Sequence, residues 1–531
     1  MSFLSKERSV ARPGYSRWLI PPAALCVHLS IGQVYSLSVF KIPLEERFGA
    51  SHTAIGWVFS LAIGMLGTSS AIFGRWVERS GPRKAMVAAA ACWVGGFLIG
   101  ALGIATGQLW LLYLGYGVIG GIGLGIGYVS PVSTLMKWFP ERPGLATGMA
   151  IMGFGGGALV AAPFSRLLME FYEARLNPGG DGSTISEASL VGTFITMGLT
   201  YAVLMLLGAC LVRIPQGFED DETSRHFPGR GGALVRVRAA VRTPQFYLLW
   251  VVLFCNVTAG IGILENAGPM IQDFFRDGGA SPVTAAMAAG FVGLLSLANM
   301  AGRFGWSTFS DKIGRKPAYV IYLGVGIVMY LLLANFGSAS VALYCLFAFV
   351  ILTFYGGGFA TIPAYLKDMF GTLEVGAIHG RLLTAWSAAG IVGPLIVNRT
   401  LDSAGPPGTL VAADYRPALF VMVGILSVGF VANLLVRTVP AKYYDAHQLT
   451  RHRDHANGSE VRPMATRLPA AAVDGMAAAE TSRGGVDGAA RPESSKPSSR
   501  LAVAAAWLVV ALPLGFGLEE TVAKALQLFT G

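Results

Sequence analysis

Arg303 stands inside an apolar run, "SLANMAGRFGWSTF" (296-309), where a permanent cation needs a reason. At the centre of a membrane helix an Arg costs about 2.5 to 3.5 kcal/mol on insertion scales, so such a residue faces a polar cavity or a counter-ion. Its guanidinium does not lose its proton, and its planar fork matches a carboxylate bidentately where Lys offers a point charge. Asn299, four residues earlier, lies one turn away on the same helix face and can donate to the same anion. The competing reading is a snorkelling Arg near a helix end, since Asp311 follows eight residues on, about 12 Å at 1.5 Å per residue.

Other groups with chemistry also lie in apolar runs. Glu265, in "GIGILENAGPMI" (260-271), is either a proton carrier or an ionised wall of a wide vestibule, with Asp273 marking the end of the run. His28 is a second proton site or a packed neutral imidazole. Tyr35, Tyr128, Tyr355, Phe359 and Trp386 can close a small apolar box with hydroxyl donors around a short acid. Aromatics in membrane spans also serve as packing or as an interface belt.

The elements that position these residues follow from composition. Hydrophobic residues make up 53% of the chain and charged residues 13%, and apolar runs of about 20 residues are what a hydrocarbon core of ~30 Å demands. The chain therefore reads as an all-α polytopic membrane protein, its partner surface the lipid bilayer. Its 69 glycines suit helices that approach closely. The net charge of +10 is explained by Lys and Arg in loops on the cytoplasmic side, with no need of nucleic acid. Cys26, Cys92, Cys210, Cys255 and Cys345 lie in apolar runs without disulfide or metal-site spacing and read as packing residues.

Hydropathy places spans near 18-40, 54-76, 85-106, 109-136, 144-170 and 190-212, then near 246-271, 284-309, 318-335, 340-366, 381-398 and 417-438. The expected organisation is a first six-helix bundle over 1-212, a charged cytoplasmic linker over 213-243 and a second six-helix bundle over 244-440. A disordered cytoplasmic tail is expected over 441-500, and "LAVAAAWLVVALPLGFGL" opens an additional transmembrane helix within 501-531. No short apolar stretch with a cleavage site opens the chain, so the first span is expected to stay, with its N-terminus in the cytoplasm.

The halves repeat at an offset near 232. "GRWVERSGPRK" (74-84) overlies "STFSDKIGRKP" (307-317), pairing Glu78 with Asp311 and Gly81 with Gly314, and "PGLATGMAIMGFGGG" (143-157) overlies "VGAIHGRLLTAWSAA" (375-389). Chance in Gly-rich sequence is the alternative, weakened by the shared offset. Two related six-helix halves mark a secondary transporter that rocks around a mid-membrane site. At that offset Arg303 falls on Ala71, so one half alone carries the cation, and Glu265 falls on Gln33, so both halves present a polar side chain from corresponding walls.

Gly74, Glu78, Gly81 and Arg83, with Asp311, Gly314 and Arg315, are similar to the loop motif after the second and eighth helices of the major facilitator superfamily. The resemblance implies that these residues are gate parts that latch helix ends in one alternating state; a generic positive-inside loop is the other reading. "HLSIGQVYSLSVF" (28-40), "NVTAGIGIL" (256-264), "YGGGFATIPAYLKDMFG" (355-371) and "GAIHGRLLTAWSAAG" (376-390), together with the Arg303 stretch, resemble the oxalate/formate antiporter family, a branch that includes bacterial monocarboxylate transporters. That implies a twelve-helix major facilitator fold, an anion anchored on Arg303, and binding residues among Asn299, Gln33, Tyr35, Tyr128, Tyr355, Phe359 and Trp386. The final helix resembles a small accessory subunit found beside some of these transporters. In the oxalate exchangers a lysine follows the tryptophan by three residues; here that position is Ala389, which favours a monocarboxylate over a dianion.

No P-loop, HExxH, CxxC pair or Ser/His/Asp cluster is present, so no enzyme, cofactor or metal is expected. The expected function is proton-coupled symport of a lactate-, pyruvate- or formate-like acid at a bacterial inner membrane. Exchange of the oxalate/formate type is one alternative and a carboxylate sensor without flux is another.

Overall fold

The structure, a computed structural model, describes residues 4–139, 143–178, 185–216, 235–276, 283–371, 375–406, 408–444 and 498–530. Among these, thirteen helices are long and apolar enough to cross a membrane. The first six are α1 (Arg17–Val39), α2 (His52–Ser80), α3 (Pro82–Thr106), α4 (Leu109–Leu135), α5 (Thr147–Leu176) and α6 (Glu187–Leu211). The next six are α7 (Pro244–Phe274), α8 (Ala285–Ile313), α9 (Arg315–Phe336), α10 (Val341–Phe370), α11 (Val375–Ala404) and α12 (Ala412–Leu435), and α13 (Arg500–Thr530) closes the chain.

Side-chain hydroxyls start several of these helices by accepting backbone N–H groups that have no intrahelical acceptor: Ser51 for α2, Ser186 for α6, Thr243 for α7 and Thr284 for α8. Glycines end them. Gly81 after α2 and Gly314 after α8 take nearly the same left-handed backbone, φ 84° and ψ 159° against φ 92° and ψ 156°. A Cβ resists that conformation, so glycine is needed at both turns, and the repeat read from the sequence recurs in backbone geometry. The end of the molecule that carries these two turns is the motif end; the short helix Lys41–Phe48 and the start of α8 lie at the far end.

Four spans depart from single straight helices, among them the fourth, in which a π-helix over Tyr113–Gly120 separates the α-helices Leu109–Leu112 and Gly121–Trp138. The first runs as an α-helix over Ile20–Ile31 and then as a 3-10 coil over Gly32–Val39. The fifth is two helices, Pro143–Gly155 and Gly157–Leu176, and the eleventh is Val375–Leu382 followed by Thr384–Ala404, where a single run over 381-398 was expected. At the α5 break Gly157 meets Gly32 backbone to backbone, with an added Cβ on Gly157 only 2.3 Å from the Gly32 carbonyl carbon. Two chains that close leave no room for side chains and pull both helices off regular geometry.

The halves meet along a long seam: α2 packs on α11, α5 on α8 and α1 on α7. Of the expected linker, residues 217-234 lie outside the described residues, as do 445-497 of the expected disordered tail. Where the linker is described, Ile214 exchanges backbone hydrogen bonds with the N-terminal segment, donating to Ser9 at 2.7 Å and accepting from Ala11 at 2.8 Å.

Candidate substrate site at the seam

α8 places Ser296, Asn299 and Arg303 on one inward face, all buried. Arg303 is fully buried and does not snorkel. Its Nε donates to Asn299 Oδ1 at 3.0 Å and one terminal nitrogen to the Ile151 carbonyl of α5 at 3.3 Å. The guanidinium lies against the backbone of the α5 break, where a Cβ on Gly155 would come within 2.8 Å of Nε. Phe154 and Phe359 flank it, with ring centroids 5.6 and 5.1 Å from its central carbon. Desolvated cation–π contacts of this kind hold a buried cation at about 2 kcal/mol or more apiece.

The five aromatic candidates from the sequence come together here. Trp386 of α11 packs on Phe359 of α10 at 4.3 Å and on Tyr128 of α4 at 5.4 Å. Tyr35 of α1 and Tyr355 of α10 share a hydrogen bond of 2.7 Å between hydroxyls, joining the halves. Phe154, which was not among the candidates read from the sequence, is the common neighbour: its ring lies 5.1 Å from Tyr35, 5.7 Å from Tyr128 and 5.5 Å from Trp386.

Four buried polar atoms in this cluster have no hydrogen-bond partner among the described residues: Arg303 Nη2, Asn299 Nδ2, Tyr128 Oη and Trp386 Nε1. Three of these are N–H donors only and the fourth is a hydroxyl that can donate. Buried donors left alone cost about 1 to 3 kcal/mol each, so a cluster of them is chemically suited to an acceptor. Ala389 is buried beside Trp386 in the same helix and brings no charge.

The other candidates take different positions. His28 turns both ring nitrogens to backbone carbonyls, those of Ala150 and, at 3.2 Å, Tyr128, and it stacks on the Tyr128 ring. Gln33 accepts from the Tyr116 hydroxyl at 2.9 Å. Glu265 is buried and ion-paired with Lys41 at 3.1 Å. Asn398 completes that knot, accepting from Lys41 at 2.7 Å and donating to Glu265 at 3.2 Å, while Asn266 bonds both charged groups. Lys41 was not among the candidates read from the sequence, and what singles it out is its carboxylate partner in the other half.

In the motif loops Arg315 pairs with Asp311 and reaches Asp368 of α10 at 3.2 Å. Arg83 is buried, while Gly74 faces open space. The Glu78 side chain lies outside the described residues.

The family model described as Major Facilitator Superfamily matches residues 23–394 and, in a second overlapping match, 266–517. The oxalate:formate antiporter of Oxalobacter formigenes is 26% identical over 389 residues, covering 71% of this chain and 83% of its own. Apicoplast pyruvate carrier 1 of Toxoplasma gondii is 24% identical over 331 residues, 55% of this chain and 60% of its own. Among solved structures, a bacterial homologue of the human lysosomal transporter Spinster, inward-facing and unoccupied, superposes with a TM-score of 0.59 at 16% identity, over 81% of this chain and all of that one.

Proposed function

The chain belongs to the major facilitator superfamily, and from that premise we propose that it carries a small monocarboxylate, of the lactate, pyruvate or formate kind, by alternating access and with proton symport. The observation that carries this reading is the set of four unpartnered donors, one of them on the fixed cation itself, inside an aromatic box. A carboxylate supplies the acceptors and the single negative charge that set lacks, and the rings suit a short apolar remainder. A dianion leaves its second charge without a cation here, at a cost of several kcal/mol.

Coupling is assigned to the pair that closes the far end. Lys41 and Glu265 belong to opposite halves, so rocking that opens the far end separates them. A carboxylate stripped of its cation in a low-dielectric wall takes up a proton, and re-closure on Lys41 expels it. The motif end is taken as cytoplasmic, with the N-terminus and the linker on that side of a bacterial inner membrane; His28 is kept as a second proton site beside the box.

Uptake of labelled lactate into proteoliposomes, with and without an inward proton gradient and with oxalate, formate and pyruvate as competitors, tests the reading. Gradient-driven uptake blocked by monocarboxylates and not by oxalate is expected. Strong block by oxalate, or flux only against a loaded counter-anion, selects exchange instead, the reading favoured by the oxalate:formate antiporter among the relatives. Binding without flux selects a sensor.

A further inference from the structure

α13 runs diagonally over the body, from the first half at the motif end to the second half at the far end. Trp507 donates from Nε1 to the Trp18 carbonyl at 3.2 Å, and Val510 is buried with Leu25, Cys26 and Leu29 of α1. Midway, Gly517 lies on α5, where a Cβ would sit 2.6 Å from the Leu159 carbonyl oxygen and 2.9 Å from the Val160 Cα. Further on, Thr521 and Lys524 cross α8 at Gly293 and Gly290, where added Cβ atoms would lie 2.1 Å from Thr521 Oγ1 and 2.7 Å from Lys524 Cβ. One helix thus grips both sides of the seam through contacts that leave no room for a methyl group.

A polar thread enters the body at the same place. The Thr521 hydroxyl donates to the Leu159 carbonyl at 3.5 Å, the Leu159 N–H donates to Ser296 Oγ of α8 at 2.8 Å, and the Ser296 hydroxyl donates to the Gly155 carbonyl at 2.8 Å. Gly155 is the residue pressed against Arg303. Ser296 lies on the face of α8 that carries Asn299 and Arg303.

We propose that α13 is an intramolecular clasp that holds α5 to α8, favours the state in which the substrate site is closed and restrains its opening without touching substrate. This rests on the alternating-access reading, because rocking of one half on the other changes the spacing of α5 and α8. Contacts at Gly293 and Gly517 have no slack, so α13 fits one arrangement of the two helices better than another. A differential fit is what shifts a two-state equilibrium.

The test uses the full-length chain in lipid nanodiscs, with its five native cysteines replaced and spin labels at Leu176→Cys and Ala285→Cys, exposed positions at the far ends of α5 and α8. Gly293→Leu and Gly517→Leu should each lengthen the label distance, speed alkylation of Ala525→Cys, which lies on the buried face of the docked helix against α8, and weaken apparent substrate affinity by about two- to thirtyfold. Thr521→Val keeps the shape, removes the thread and should move the distance the same way to a smaller extent. An unchanged distance in a chain whose α13 has come away overturns the clasp. So does a Gly293→Leu chain in which Ala525→Cys stays protected, since the close fit is then absent. The distances need no substrate, so a wild-type chain that carries no monocarboxylate sinks the transport reading separately.

Discussion

Arg303 and Asn299, one turn apart on α8, are joined from Nε to Oδ1 at 3.0 Å, and this bond leaves Nη2 of one and Nδ2 of the other without acceptors. The amide fixes the fork with its open nitrogen in the box, where a point charge on a flexible stem does not substitute for it. Arg303→Lys should therefore weaken carboxylate binding by about 1.5 to 3 kcal/mol, roughly ten- to hundredfold in Kd. Asn299→Ala, which removes a neutral donor and frees the fork, should cost about 1 kcal/mol. Isothermal titration with lactate measures both, and wild-type affinity in Arg303→Lys removes the bidentate anchor.

Lys41 and Glu265 make a second prediction, because both are buried and each is the other's charge partner. Removing one side of such a pair costs about 3 to 5 kcal/mol, whereas removing both is often close to neutral. Lys41→Met should lower the melting temperature of the detergent-solubilised chain strongly, and Lys41→Met with Glu265→Leu should restore most of it. The double variant should also lose gradient-driven accumulation while keeping lactate exchange. Accumulation at the wild-type level would remove Glu265 from coupling.

Much of this arrangement was legible in sequence, for physical reasons that also mark where legibility stopped. Arg303 and Asn299 could be paired because helical spacing alone brings residues four apart together. Tyr35, Tyr128, Tyr355, Phe359 and Trp386 stood in stretches that resemble a known family, and the structure gathers them. Phe154 was hidden in "GFGGG", whose glycines signal close packing truthfully but say nothing of the ring they admit to the seam. Lys41 follows an apolar run and precedes "EER", the pattern of a helix leaving the membrane. Its burial depends on a contact with a residue 224 positions away, which no local pattern encodes. The break in α5 was equally invisible, being imposed by Gly32 of another helix.

That break carries its own prediction. A Cβ on Gly32 would lie 2.4 Å from the Phe154 carbonyl oxygen and 3.0 Å from the Gly157 Cα, both backbone atoms that no side-chain rotation relieves. Gly32→Ala should destabilise the chain by about 1 to 3 kcal/mol as overpacking does. It should also weaken substrate binding, since Phe154 and Gly155 stand directly against the guanidinium. Gly424→Ala, at a glycine with nothing within 4 Å, is the control that should leave both melting temperature and affinity unchanged.

Trp386 separates the polar from the apolar work of the box. Its ring packs on Phe359 at 4.3 Å and Tyr128 at 5.4 Å, and its indole N–H is buried with no acceptor. Trp386→Phe keeps an aromatic ring in the wall while deleting the donor and part of the ring volume. If that N–H waits for the substrate carboxylate, the change should cost about 0.5 to 1.5 kcal/mol of binding, a few-fold to about tenfold in Kd. Stability should fall only by the cost of the smaller ring, about 1 to 2 kcal/mol, because the deleted donor has no protein partner to lose. Phe359→Ala, which opens a cavity beside both Arg303 and Trp386, should instead lower stability by about 3 to 5 kcal/mol. Equal losses of affinity and of melting temperature in Trp386→Phe would assign the indole to packing alone.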